Sequence, residues 1–343
     1  MDDFGVKHQS NDDLNHLLDT LRKHYKCTID KEGKNYLGLT LSWNYADRYV
    51  DVSMSGYIRA ACQRFKHPQP KRPQFSPHPW QPPKYGQHIQ YADHPTSPAL
   101  DKTDTTYVQS VNGTLIYYGR AVDPTILPAV NEISTQQSAP TQHTKNLCHH
   151  LLDYLATYPN ATIRFHASDM IAVCETDAAY LVLPKARSRI AGHYYFTNRQ
   201  DDYSKGTITS NGPFHTECKA LRRVVSSAAE AETGGAFENS LNLVSIRRIC
   251  EQVFNHPQPR KGSPLITDNS TSTGILTRLI KPRRSKSWDM RHHWLEDRIQ
   301  DNTIQLIWRP GKLNRADYFT KHHAPSHHRK MRTEYLVNVI QRH

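Results

Sequence analysis

Four carboxylates carry the chemistry that can be read directly from this chain: Asp177, Glu232, Asp268 and Asp317. Asp177 follows the predicted strand Met170 to Glu175, where an acid can stand at a sheet edge facing a ligand. Asp268 closes the apolar run Pro264-Leu265-Ile266-Thr267, ahead of Asn269-Ser270-Thr271, which reads as a helix start. It either caps that helix or serves a site at the carboxy end of a strand, the usual place for one in an α/β sheet. In Ser226 to Glu232, Ser227 and Glu230 have the spacing of a capping box, which gives Glu230 a structural task. Glu232 points roughly 200° around the helix from Glu230 and is the better site acid. Asp317 lies after the predicted strand Thr303 to Trp308 and the turn Arg309-Pro310-Gly311-Lys312. A helix starting there would bring it to the same sheet edge.

The chain around these acids is basic. Its 343 residues hold 44 Lys plus Arg against 32 Asp plus Glu, a net +12 before its 21 histidines are counted. Clustered carboxylates repel one another and raise each other's pKa, so they persist only beside cations. Hard oxygen ligands select Mg²⁺ or Mn²⁺, and two such ions about 4 Å apart would drive phosphodiester cleavage. The basic balance favours a polyanionic partner, nucleic acid being the commonest. No run approaches the roughly 18 uninterrupted apolar residues of a membrane helix, and the acidic start Met1-Asp2-Asp3 has the wrong charge for a signal peptide. Six scattered cysteines without a CxxC pair read as reduced thiols of a cytosolic or nuclear protein, not a secreted one.

The length calls for two to three domains. Nine of the 21 prolines lie between Pro68 and Pro98 and mark an extended connector. Before it, a predicted helix at Asp13 to Tyr25 and a short strand at Asn35 to Leu41 belong to an α+β fragment, 1–67. After the connector, 68–103, come the apolar patterns Tyr107 to Ala121 and Leu127 to Ile133. The helical repeat of Leu147, Leu151, Leu152 and Leu155 completes a helical segment, 104–162. From 163 to 325, strands at Met170 to Glu175, Ile190 to Thr197, Phe214 to Leu221, Pro264 to Asp268 and Thr303 to Trp308 mix with helices. They imply a mixed five-stranded α/β sheet flanked by helices. The tail, 326–343, and the neighbouring His322, His323, His327 and His328 read as a basic, partly protonated surface segment rather than a zinc site.

At these residues the sequence resembles the ribonuclease H domain of copia-type LTR retrotransposon polyproteins. The matching blocks are Thr176-Asp177-Ala178-Ala179-Tyr180, Ser226 to Glu232, Thr267-Asp268-Asn269-Ser270 and Ala316-Asp317-Tyr318-Phe319-Thr320-Lys321. Ala186 to Gly192 and Ser285 to Arg291 also look like that family. The resemblance implies a ribonuclease H-like fold in which Asp177, Glu232, Asp268 and Asp317 bind two Mg²⁺ or Mn²⁺ ions and cut the RNA strand of RNA/DNA hybrids, with Glu230 as a substitute for Glu232 because the family motif contains both. Upstream, Met1 to Lys7 looks like the end of the reverse transcriptase motif whose paired acids, here Asp2 and Asp3, bind metal. Tyr36-Leu37-Gly38-Leu39 looks like the palm segment that follows, and Gly113 to Arg120 like the thumb or connection. The first part of the palm is absent, so Asp2 and Asp3 are expected to be relics, with no polymerase activity from this chain. The missing reverse transcriptase portion is a candidate partner, and the cytoplasm, in a virus-like particle, or the nucleus is the implied location. Ser287 stands where many relatives carry a histidine, leaving His292 and His293 as nearby replacements.

Arg278, Lys281, Arg283, Arg284 and Lys286 cluster after the Asp268 helix and are expected to contact phosphates of the hybrid without reading bases. A non-catalytic nucleic-acid-binding remnant of a decayed element is the alternative.

Overall fold

The computed structural model describes residues 3, 5–6, 8–80, 96–203, 211–276 and 290–337. Helix α1 (Asn11–Arg22) begins two residues earlier than its leucine pattern suggests, because the Ser10 hydroxyl accepts from the Asp12 N–H. The strand expected over Asn35 to Leu41 is instead a hairpin of β1 (Asn35–Tyr36) and β2 (Leu39–Asn44). Leu37 and Gly38 between them have φ of 50° and 77°, which breaks the extended run. Strand β3 (Tyr49–Ser53) pairs with β2 and is followed by helix α2 (Tyr57–Arg64). The helical segment comprises α3 (Lys102–Ala121), α4 (Leu127–Gln136) and α5 (Gln142–Thr157).

The boundary drawn at 163 cuts through strand β4 (Thr162–His166), which belongs to the first sheet. It pairs antiparallel with β3, and the Arg164 guanidinium meets the Asp51 carboxylate at 2.7 Å. No strand is read from the sequence here, and its partner β3 lies more than a hundred residues upstream, so the pairing cannot be read locally.

The second sheet is the expected five-stranded mixed one. Strands β5 (Ile171–Leu183), β6 (Arg187–Thr197) and β7 (Pro213–Ala220) form an antiparallel meander. After helix α6 (Ala228–Gln252), strand β8 (Ser263–Thr267) lies parallel to β5. Helices α7 (Ser270–Leu276) and α8 (Met290–Gln300) lead to β9 (Ile304–Trp308), parallel to β8. The strand order is β7-β6-β5-β8-β9. One face, with Ala172, Cys174 and Leu265, packs on Ala236 and Leu243 of α6 and Leu295 of α8. Asn239 of α6 clamps helix to sheet, donating to Thr176 Oγ1 and to the Ala191 carbonyl at 2.7 Å each.

The other face joins the helical segment in one core, from Leu115, Ile133 and Leu151 to Ala191, Phe319 and Tyr335. The nearly fully buried Arg189 of β6 pairs with Glu132 of α4 at 3.0 Å across this junction. The described part of the tail, 326–337, contributes His328, Tyr335 and Leu336 to the interior, which corrects the reading of a protonated surface segment at His328. Helix α9 (Pro325–Tyr335) buries His328 and Tyr335 at helical spacing. The His328 ring bridges the hydroxyls of Tyr318 and Tyr154, and burial pulls its pKa down to about 3. Among the described residues, no helix is long and apolar enough to cross a membrane.

Candidate metal centre

Asp177 stands inside β5, not beyond its end. The strand continues through it because β6 pairs with it residue by residue up to Ala179, where the register shifts. The small residues Ala178 and Ala179 let α6 approach: a Cβ on Gly235 would lie 3.4 Å from the Asp177 carbonyl. Strand β8 ends at Thr267, so Asp268 emerges from the sheet. In the β5–β8 register, Glu175 faces Ile266, which places Asp268 level with Asp177. Glu232 sits in the second turn of α6, facing the Ala178 N–H of β5.

One oxygen from each of Asp177, Glu232 and Asp268 lies within 4.8 Å of the other two. Glu230 is not in this set. Its N–H donates to Ser227 Oγ at 3.2 Å and its carboxylate accepts from the Ser226 N–H at 2.8 Å, so it closes the helix end. Asp317 is also outside the set. The segment Arg315–Thr320 is a 3-10 helix, and its Asp317 carboxylate pairs with the Lys321 ammonium four residues on.

The triad is electrostatically unfavourable without a cation. Burial, with Asp317 and Asp268 nearby, raises the Asp177 pKa to about 6 although the Thr320 hydroxyl donates to its Oδ2 at 2.6 Å. Burial, Asp177 and Asp268 push Glu232 well above the carboxylate range, and burial foremost raises Asp268. Glu232 Oε2 is buried without a hydrogen-bond partner among the described residues. A lone buried carboxylate oxygen beside two further acids suits a hard divalent cation, or a proton in its absence.

Sequence reasoning missed the residues that hold this arrangement. Asn314 donates to the Thr176 carbonyl at 3.0 Å, tying β5 to the 3-10 segment, and stands close enough to Asp268 to counter part of its pKa rise. Gly311 gives Asp268 room, since a Cβ there would lie 2.6 Å from its Oδ2. Two residues before Asp177 on the same face, the fully buried Glu175 pairs with Arg309 at 2.6 Å, fixing the loop after β9. An asparagine and a glycine in a Pro-Gly-Lys-Leu-Asn turn give only a turn signal, so nothing local marks them as site residues.

The basic residues Arg278, Lys281, Arg283, Arg284 and Lys286, together with Asp2 and Ser287, lie outside the described residues. Asp3 is exposed. On α8, His292 is buried and approaches Glu296 at 3.5 Å, whereas the His293 side chain is 72% exposed.

No protein-family profile matches the chain. Over 212 residues, 62% of the chain, it is 24% identical to the retrovirus-related Pol polyprotein from transposon TNT 1-94 of Nicotiana tabacum. The chain spans 15% of the length of that polyprotein. Among solved structures, it is similar to the N-terminal RNase H domain of Rv2228c from Mycobacterium tuberculosis, determined as a fusion with maltose binding protein. That similarity covers 44% of this chain and 91% of the other at 12% identity, with a TM-score of 0.27. The resemblance to a fragment of a retrotransposon polyprotein, read from the ordered blocks, is thereby borne out.

Proposed function

We propose that this chain is the ribonuclease H part of a retrotransposon polyprotein and hydrolyses the RNA strand of RNA/DNA hybrids with Mg²⁺ or Mn²⁺. The observation that carries the proposal is the convergence of Asp177, Glu232 and Asp268, drawn from β5, α6 and the end of β8. The unpartnered Glu232 Oε2 fits the cation that these acids need. Asp177, Glu232 and Asp268 would hold one ion and Asp317 would help hold a second. Bound there, the ions supply an activated water and charge stabilisation for the leaving oxygen. The chain's own residues prepare the site: the Thr320 hydroxyl fixes Asp177, Gly311 leaves room for the Asp268 carboxylate, and α6 carries Glu232. The basic stretch from Arg278 to Lys286 would grip the hybrid by shape and phosphate charge.

The test is cleavage of a labelled hybrid by the full chain in Mg²⁺ and Mn²⁺, beside EDTA and Asp268→Asn. Metal-dependent cutting of the RNA strand, lost in the variant, is the expected result. Cutting that survives in Asp268→Asn, or binding without any turnover by the folded protein, would overturn it.

A gentler change tests the geometry. Gly311→Ala is expected to turn the Asp268 carboxylate aside and to lower cleavage by roughly ten- to a hundredfold, the range for perturbing a ligand's surroundings. The unfolding temperature should move by less than about 3 °C, because the closest atom is the end of a side chain. Parallel activity assays and thermal melts check both halves.

A further inference from the structure

Lys321 differs from an ordinary surface partner. An exposed pair at i,i+4 contributes little, and Asp317 and Lys321 keep 38% and 50% of their side chains exposed. Yet the ammonium also lies in the field of Asp177 and Asp268. Burial by itself would lower its pKa, but Asp317, Asp177 and Asp268 hold it above the ordinary lysine value. The preceding Thr320 is tied through its hydroxyl to Asp177 Oδ2, so the backbone bearing Lys321 is fixed against the acid cluster. The result is a permanent cation beside the one site acid that stays out of the triad.

We infer that Lys321 occupies, in the free protein, the cation position next to Asp317. The free protein therefore takes one divalent ion, at Asp177, Glu232 and Asp268, and a second enters only when the ammonium leaves Asp317. A phosphodiester of a bound hybrid offers the ammonium an alternative anion, which couples loading of the second ion to substrate. The inference rests on the metal-dependent reading proposed above. It adds a residue that rations cations to that site.

The experiment is Mn²⁺ titration of the full chain without nucleic acid, followed by calorimetry and by the electron paramagnetic resonance signal of free Mn²⁺. The wild type and Lys321→Arg are expected to take one ion. Lys321→Met is expected to take two, with the second bound at least about tenfold more tightly than in the wild type, since a like charge a few ångströms away has been removed. Lys321→Gln serves as a second neutral variant, and circular dichroism checks folding. Two ions in the wild type, or one ion in both neutral variants, would overturn the role of Lys321 and leave the metal centre standing. No ion in any protein would remove both.

Discussion

Asp177→Asn is expected to cut hybrid cleavage by on the order of a thousandfold, the upper end of what loss of one charge-stabilising group costs. It is also expected to make the metal-free protein more stable. The two effects have opposite signs because the same charge serves different states. In the folded, metal-free chain Asp177 is 4% exposed, and burial with Asp317 and Asp268 nearby lifts its pKa from 3.8 to about 6. A carboxyl displaced that far costs the folded state up to about 3 kcal/mol at pH 7. An amide keeps the acceptor for Thr320 but leaves its own N–H groups to be satisfied, so a gain of about 1–2 kcal/mol is expected.

The pH dependence follows from the same shift. A carboxyl whose folded pKa lies above its unfolded one contributes stability fully below the unfolded value, here 3.8, and loses it as pH rises through about 6. Glu232 and Asp268, both raised, act in the same direction. In EDTA the stability advantage of Asp177→Asn over the wild type should therefore be larger at pH 7 than at pH 5, whereas buried histidines such as His328, whose pKa is lowered to about 3, weaken both proteins alike at pH 5. Saturating Mg²⁺ should reverse the order of the two proteins at pH 7. Thermal melts in EDTA and in Mg²⁺ at both pH values check this; a variant less stable than the wild type in EDTA would contradict the charge-repulsion account.

Glu175→Gln is expected to destabilise the chain by about 3–5 kcal/mol, as loss of one partner from a buried ion pair does. Glu175 is fully buried, its Oε1 accepts from Tyr195 at 2.7 Å, and Arg309, 2% exposed, meets it at 2.6 Å. Burial raises its pKa, but Arg309 and Arg315 outweigh this and hold it below the ordinary value. Its stabilising contribution is thus present above the unfolded carboxylate pKa and lost as pH falls through the lowered one, opposite in sign to Asp177. A neutral amide in place of the Glu175 carboxylate would leave the Arg309 guanidinium buried without its counter-charge. Arg309 also donates to the Leu313 carbonyl at 2.6 Å, just ahead of Asn314 and Asp317, so hybrid cleavage should fall as well. Denaturant titration measures the loss, and the double variant Glu175→Leu with Arg309→Met should recover most of it, because no buried charge then remains unpaired.

The acids, their order and the alternation of strands and helices were legible in the chain. Each depends on residues within a turn or two of one another: an apolar run ending in Asp268, a capping box at Ser227, a leucine repeat in α5. The capping box was legible as well, since a helix end uses Glu230 locally. Where the reading failed, the deciding partner lay far away in sequence. The boundary at 163 severed strand β4 from the first sheet, where its ladder is with β3. His328 looked exposed and protonated, but Tyr154 and Tyr318 enclose it. Asp177 looked like a strand end, but β6 extends the ladder beyond it. Asp317 looked equivalent to the other acids, and only the course of the 3-10 segment turns it toward Lys321. Sequence by itself determined which side chains were available and what chemistry they could perform. Tertiary structure alone decided which of them meet, because spacing along the chain fixes neighbours a few residues apart, whereas register between strands and the packing of distant helices fixes everything else.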